Sequence, residues 1–132
     1  MKTTLLFILC FLVLSASTCK KEGEDCHYEI TIKNNANQDV IAAHKFFANT
    51  KCILDGHVIS PNGNYKESAK ICWENKISNS TPYDLYIVDP VKYNIPNVFY
   101  SCDSIEIKNA VLKHYVLTLD DLKQSNFIVT YP

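Results

Sequence analysis

A short apolar segment at the start of the chain constrains the fold most, because it decides the compartment in which the chain folds. Lys2 gives a basic start, residues 5–14 are almost all apolar, and residues 15–18 are small. This order is typical of a secretory signal. A membrane-spanning helix needs about twenty apolar residues, so the segment is too short to be a permanent span. We therefore expect an exported protein that folds in an oxidising compartment.

Composition limits the partners of the exported part. Removing residues 1–18 would leave 114 of the 132 residues, which is the size of one domain. The formal net charge of the whole chain is −1, and arginine is absent from it. Arginine provides the bidentate contacts to phosphate and bases, so nucleic acid is not an expected partner. We expect one globular domain over residues 27–132, behind a short charged tether over residues 19–26.

Four cysteines of the exported part form an even set, which predicts two disulfides in an oxidising compartment. These are Cys26, Cys52, Cys72 and Cys102. Three connectivities are open, and we favour Cys52–Cys72 together with Cys26–Cys102. The first pair would close a loop across a hairpin, and the second would join the start of the domain to its later half. Each bridge would contribute about 2–4 kcal/mol. Because no C-x-x-C pair is present, a zinc site is a weaker alternative.

Period-2 alternation of apolar residues predicts an all-β fold. Residues 28–33 alternate with Ile30 and Ile32 on one face, and residues 40–47 are expected to form a hairpin with them. Residues 49–55 read as a loop and residues 61–64 as a turn. Further strands are predicted at 66–73, 83–88, 98–100, 113–117 and 127–131. The prediction is a small antiparallel β-sandwich of about seven strands with immunoglobulin-like proportions, and a single α+β domain is the alternative.

One helical turn is predicted before the last strand. Thr118 and Asp121 have the spacing of a capping box, in which each side chain bonds the backbone N–H of the other residue. Leu119 and Leu122 would lie on the inner side of this turn. The pair Asp120 and Asp121 is therefore explained by helix initiation better than by acid–base catalysis.

The end of the export segment resembles the lipobox of bacterial lipoproteins. Ala16, Ser17 and Thr18 precede Cys19, and the charged run Lys-Lys-Glu-Gly-Glu-Asp follows it, like the tether of Bacteroidetes lipoproteins. The resemblance implies that Cys19 carries acyl chains such as palmitate and anchors the protein in the outer membrane, at the cell surface or facing the periplasm. The alternative is an ordinary signal cleaved after Ala16 or Ser17.

The C-terminal part carries a second resemblance. Residues 114–122, His-Tyr-Val-Leu-Thr-Leu-Asp-Asp-Leu, and the ending Tyr131-Pro132 look like the C-termini of small uncharacterised Bacteroidetes lipoproteins. That family has no assigned activity, so the resemblance implies location and fold class only. Asp103-Ser104-Ile105 also matches the pattern at which Bacteroidetes O-glycosylate exported proteins, which makes Ser104 a candidate site. Such a short motif also recurs by chance.

Candidate functional side chains are few. The four histidines, His27, His44, His57 and His114, show no metal-ligand spacing, and no nucleophile or phosphate-binding motif is present. We expect no catalytic residues, no metal and no cofactor. The remaining candidate is a partner-binding surface rich in aromatic residues. Its members would be Tyr83, Tyr86, Tyr93, Phe99 and Tyr100. The alternative, which we prefer, is that these rings cover the core.

Three functions are consistent with these observations. The first is a non-enzymatic, lipid-anchored envelope protein that binds a protein or glycan. The second is a periplasmic inhibitor or immunity-type protein that binds a partner enzyme, which an acidic patch or protruding loop would favour. The third is a small hydrolase, which a concave pocket with converging His and Asp side chains would favour.

Overall fold

The described residues of the protein form two β-sheets. The computed structural model describes residues 23–48, 51–78, 80–93, 99–101 and 109–132; for 47, 48, 51, 53 and 99–101 it describes the backbone alone. The strands in chain order are β1 (Glu29–Asn34), β2 (Val40–Ala48), β3 (Lys51–Ile59), β4 (Asn64–Ser68), β5 (Tyr83–Val88), β6 (Phe99–Ser101), β7 (Val111–Leu117) and β8 (Ile128–Tyr131). The described residues also form two short helices, α1 (Trp73–Lys76) and α2 (Leu119–Gln124).

Apart from β2 and β3, the strands that pair with each other among the described residues are not consecutive in sequence. One sheet has the order β4-β1-β8 and the other β6-β3-β2-β5-β7. Neighbouring strands are antiparallel except β1 and β8, which run parallel. The predicted small all-β sandwich is confirmed.

The predicted hairpin of the first two strands is wrong. β1 pairs with β4 and β8, whereas β2 pairs with β3 and β5 in the other sheet. The buried Asn34 lies where the chain changes sheet: its Nδ2 donates to the carbonyls of Gln38 and Ile59 at 2.8 and 3.0 Å, and to that of Ser60 at 3.2 Å. Its Oδ1 accepts from the amide of Ala36 at 3.0 Å. These bonds turn the chain into a crossover instead of a tight hairpin.

Two other boundaries differ from the prediction. Most of the predicted loop 49–55 belongs to β3, because pairing with the whole length of β2 outweighs the weak strand preference of Asp55 and Gly56. β4 ends at Ser68, and Trp73 begins α1 instead of ending a strand. The predicted turn at 61–64 is confirmed, with the Gly63 amide donating to the Ser60 carbonyl at 2.9 Å. A Cβ on Gly63 would lie 2.9 Å from that same oxygen, which explains the glycine.

The core lies between the sheets, and the larger sheet is buried on both faces. Ile30, Ile32, Leu85 and Ile87 belong to one apolar cluster in the layer between the sheets. A second cluster lies on the opposite face of the larger sheet and includes Ile41, Ala43, Leu54, Tyr86, Val88, Tyr93 and Ala110. β5 is therefore an almost continuous apolar run rather than an alternating strand.

The capping box before the last strand is confirmed. The Asp121 amide donates to Thr118 Oγ1 at 3.2 Å, and the Thr118 amide donates to Asp121 Oδ2 at 2.9 Å. Hydrogen bonds from the Thr118 hydroxyl and amide lower the pKa of Asp121. Leu122 is fully buried, as predicted for the inner side of this turn. None of the helices in the described part of the chain has the length and apolar character to cross a membrane.

The favoured disulfide pairing is wrong. Cys26 is bonded to Cys72, with their Cα atoms 5.0 Å apart. These cysteines flank the antiparallel pair β1 and β4, whereas Cys52 lies in β3 of the other sheet. Cys52 is also disulfide-bonded. Cys102 lies outside the described residues, and cysteine arithmetic makes it the predicted partner of Cys52.

Candidate functional site: a polar cleft between the sheets

The inner face of the β2–β3 hairpin changes from apolar to polar along its length. Val40 pairs with Ile59 near one end, and both side chains are buried in the core. Two and four residues further along β2, Ala42 pairs with His57 and His44 with Asp55. Because side chains at every second position share a face, these polar side chains continue the inner face of the core.

Polar side chains from the opposite sheet close a cavity with them. Tyr65 and Glu67 are two residues apart on β4, and Ser68 and Lys76 lie at the same cavity, which has a volume of about 180 Å³. We call this cavity the inter-sheet cleft. Its lining comprises Ala42, His44, Asp55, His57, Tyr65, Glu67, Ser68 and Lys76. The site therefore combines two carboxylates, two imidazoles, one phenol and one ammonium group.

Both carboxylate oxygens of Glu67 have internal partners. Oε1 lies 3.0 Å from His44 Nδ1, and Oε2 accepts a hydrogen bond from the buried Tyr83 hydroxyl. Burial, followed by the negative charge and the hydrogen bond of Glu67, raises the pKa of Tyr83 well above its ordinary value. Tyr83 therefore remains a hydrogen-bond donor to Glu67 over the whole physiological pH range. Glu67 therefore contacts both the Tyr83 hydroxyl and the His44 ring.

Asp55 differs from Glu67 because one of its buried oxygens lacks a partner. Two buried side-chain polar atoms in the described part of the chain make no hydrogen bond, Asp55 Oδ1 and Trp73 Nε1. Trp73 lines an adjoining pocket that shares His44 and Lys76 with the inter-sheet cleft. Both unpaired atoms are thus found at the same end of the sandwich. An unpaired buried polar group costs about 1–3 kcal/mol, so its presence calls for an explanation.

Aromatic rings form part of the lining. The His57 and Tyr65 rings are stacked, with centroids 4.1 Å apart. Burial, followed by the charges of Glu67 and Asp55, raises the pKa of Tyr65. Lys76 Nζ lies 4.3 Å from the centroid of the Trp73 ring, in a cation–π contact.

The two remaining histidines lie apart from the cleft, each with its own partners. His27 Nδ1 is 2.5 Å from Glu74 Oε1, and the ring stacks on Phe127 with centroids 4.0 Å apart. Burial alone would raise the pKa of Glu74, but the hydrogen bonds from the amide and ring of His27 outweigh it and lower that pKa. His114 bonds Asp84 and stacks on Tyr86. Within the described residues, no three His, Cys, Asp or Glu side chains are placed to share a metal ion.

The residues proposed from the sequence lie elsewhere. Cys19 and Ser104 are outside the described residues. Tyr83, Tyr86 and Tyr93 are 3%, 7% and 2% exposed, so they cannot form an exposed partner surface. The preferred alternative, that these rings cover the core, is confirmed for those three. The side chains of Phe99 and Tyr100 are outside the described part of the chain.

The inter-sheet cleft itself was not predicted from the sequence. His44 lies on a predicted strand, but the sequence predicts a loop at Asp55 and so places this residue on no face of a sheet. Once β3 is known to continue through Asp55, the alternation of Asp55 with His57 and of Tyr65 with Glu67 places all four on inner faces. The sequence signal that could have identified these four residues is a set of polar side chains at every second position of a strand, continuing a face that is apolar elsewhere.

Comparisons with known proteins do not extend this description. No protein-family model, no curated protein and no solved structure matches the chain. The function is therefore argued from the geometry of the chain itself.

Proposed function

We propose that the protein is a non-enzymatic, lipid-anchored envelope protein that binds a protein or glycan in the inter-sheet cleft. The single observation that carries the binding function is Asp55, which lines the cavity and whose buried Oδ1 has no hydrogen-bond partner among the described residues. A stable fold gains nothing from such an atom, whereas a ligand that donates a hydrogen bond to it recovers the lost free energy. Functional sites are where such local costs are found.

Export is supported by the oxidised cysteines. Cys26–Cys72 joins the start of the domain to the segment before α1, and Cys52 is oxidised as well. Such bonds persist in oxidising compartments and are rare in the cytosol. The lipid anchor at Cys19 and the outer-membrane location rest on the lipobox resemblance.

Intact-mass spectrometry of protein purified from its native membrane tests the anchor. We expect a chain that begins at Cys19, carries acyl chains and gains four hydrogens on reduction. Cys19→Ser should release the protein from the membrane fraction. Cys10→Ser is the matched control, because it changes a cysteine of the same segment that the mature chain would lack. An unacylated chain beginning at Ser17 or Thr18 would contradict the proposed anchor.

A hydrolase is the second candidate, and one observation favours it. Glu67 holds Nδ1 of His44, as the carboxylate does in catalytic triads, which leaves Nε2 as the acceptor for a general base. Ser68 lines the same cleft, but no hydrogen bond between its hydroxyl and the His44 ring is found among the described residues. Activity toward ester or glycoside substrates that His44→Ala abolishes, with folding retained, would favour this function over binding alone.

A further inference from the structure

We propose that the inter-sheet cleft binds a primary ammonium group, with the Asp55 carboxylate as the counter-ion and the stacked His57 and Tyr65 rings as an aromatic wall. This inference rests on the proposed binding function and adds to it the chemical class of the ligand. The ammonium group could belong to a lysine side chain of a partner or to an amino sugar. The experiment below distinguishes these two sources.

The pairing of the carboxylates indicates the charge of the ligand. Glu67 already accepts from Tyr83 and contacts His44, so its charge is distributed over two internal partners. Asp55 Oδ1 has no hydrogen-bond partner among the residues that the structure describes. A carboxylate can only accept hydrogen bonds, so the group that satisfies it must be a donor. A donor that is also a cation gives the stronger, charge-assisted bond.

The size and lining of the cavity restrict the chemical class of the ligand further. Pockets for drug-sized ligands have about 300–1,000 Å³, and this cavity has about 180 Å³. The volume of an aminoalkyl chain or of a single sugar ring is of the right order for this cavity. The phenol ring of Tyr65 can contact a cation through its face, and such contacts contribute about 0.5–2 kcal/mol.

Lys76 provides an internal comparison, because it is an ammonium group at the same cleft. Its Nζ rests over the Trp73 ring, with no ion pair to Asp55 in the described part of the chain. The cation–π contact with Trp73 thus keeps the internal ammonium group away from Asp55. An incoming ammonium group would be repelled by the like charge of Lys76 at the same cleft, so removal of Lys76 should favour binding.

Two matched pairs of probes test the charge of the ligand. The lysine pair is Nα-acetyl-lysine methylamide and its Nε-acetylated form, and the sugar pair is glucosamine and N-acetylglucosamine. Each pair differs in the ammonium charge. Binding would be followed by NMR shifts of the cleft amides in the protein purified with its disulfides intact. Of the two charged probes, we expect the one that binds more tightly to have a Kd on the order of millimolar, because a single small group makes few contacts. Acetylation should weaken its binding by at least about tenfold, which corresponds to 1.4 kcal/mol.

Three variants test the residues. Asp55→Asn should weaken binding of the charged probe by at least about tenfold, because the counter-ion is removed while the shape is kept. The matched control is Asp39→Asn, which removes the same charge at an exposed position between β1 and β2 and should leave binding unchanged. Lys76→Met should strengthen binding by about two- to fivefold, since it removes a like charge from the lining of the cleft.

The outcomes separate this inference from the proposed function. Tighter binding of the lysine probe identifies a side chain of a partner as the source, and tighter binding of glucosamine identifies an amino sugar. Equal binding of charged and acetylated probes, insensitive to Asp55→Asn, overturns the cation inference but keeps the cleft as a binding site. If no probe shifts the cleft amides, the cation inference also fails, while the anchor is judged independently by the mass of the native protein.

Discussion

Asn34 and Asp55 both bring polar atoms into the layer between the sheets, and they differ in how those atoms are paired. Asn34 is fully buried beside the apolar end of the layer, where its amide group bonds four backbone groups. Asp55 lies at the other end, where its buried Oδ1 has no partner among the described residues. The same two strands, β2 and β3, supply both ends.

The difference separates a structural polar group from a candidate functional one. The bonds of Asn34 hold the crossover between sheets, so its burial is compensated within the fold. The unpaired atom of Asp55 is compensated by nothing that the described residues provide, and Asp55 is one of the residues that line the inter-sheet cleft. The apolar end should therefore determine stability, and the inter-sheet cleft should determine binding.

The largest effect is expected at the apolar end, for Leu85→Ala. Leu85 is fully buried in the cluster between the sheets, so truncation removes apolar contacts and leaves a cavity. We expect the free energy of unfolding to fall by about 3 kcal/mol, measured by urea denaturation. Val116→Ala is the control on β7, where the side chain is 55% exposed, and should cost less than about 0.5 kcal/mol. Equal costs for the two variants would contradict the placement of the core.

Asn34→Ala should have the next largest effect. It removes the side-chain bonds to Gln38, Ile59 and Ser60 and leaves their carbonyls without that donor. We expect a loss of about 2–3 kcal/mol in the free energy of unfolding. Asn37→Ala, in the same connection but exposed, is the matched control and should change stability by less than about 0.5 kcal/mol. A loss below 1 kcal/mol for Asn34→Ala would show that the crossover does not depend on this side chain.

Tyr83→Phe tests the place where the apolar core between the sheets meets the inter-sheet cleft. It removes the hydroxyl that donates to Glu67, and we expect a loss of about 2 kcal/mol at neutral pH, in the range for bonds to charged groups. Burial and Glu67 raise the folded-state pKa of Tyr83 well above 10.0, whereas the unfolded chain ionises near that value. The stabilisation is therefore fully present below pH 10 and is lost as the pH rises further.

The pH dependence distinguishes Tyr83 from the other tyrosines. Tyr65 and Tyr115 also have raised pKa values, and they remain in the variant. The difference between wild type and Tyr83→Phe in urea denaturation at pH 8, 10 and 11 thus isolates Tyr83. A fall in stability that is equally steep in both proteins would show that Tyr83 ionises freely in the folded state.

The sequence predicted local features well and long-range ones poorly. Alternation identified β1 and β7, and the capping box at Thr118 and Asp121 was identified from spacing alone. These features depend on contacts within a few residues. The partner of β1 and the disulfide of Cys26 depend on which strands meet after the chain crosses between sheets, and period-2 patterns are the same for either sheet.

The cleft was missed for a related reason. Its polar side chains come from β2, β3 and β4, and they meet only because β4 lies across from the β2–β3 hairpin in the other sheet. Moreover, β3 is held as a strand at Asp55 by pairing with β2, against the local preference of its residues. Neither fact is present in a single stretch of sequence.

The smallest effect on stability, and the one of opposite sign, is expected for Asp55→Asn. The change removes a charge whose buried oxygen has no partner, so the free energy of unfolding should stay the same or rise by up to about 1 kcal/mol. Glu67→Gln is the matched control in the same cleft. Both oxygens of Glu67 have internal partners, so this variant should lose about 1–2 kcal/mol in the same urea denaturation. If Asp55→Asn lost as much stability as Glu67→Gln, Asp55 would have a partner within the fold. The contrast between a structural Asn34 and a ligand-binding Asp55 would then no longer hold.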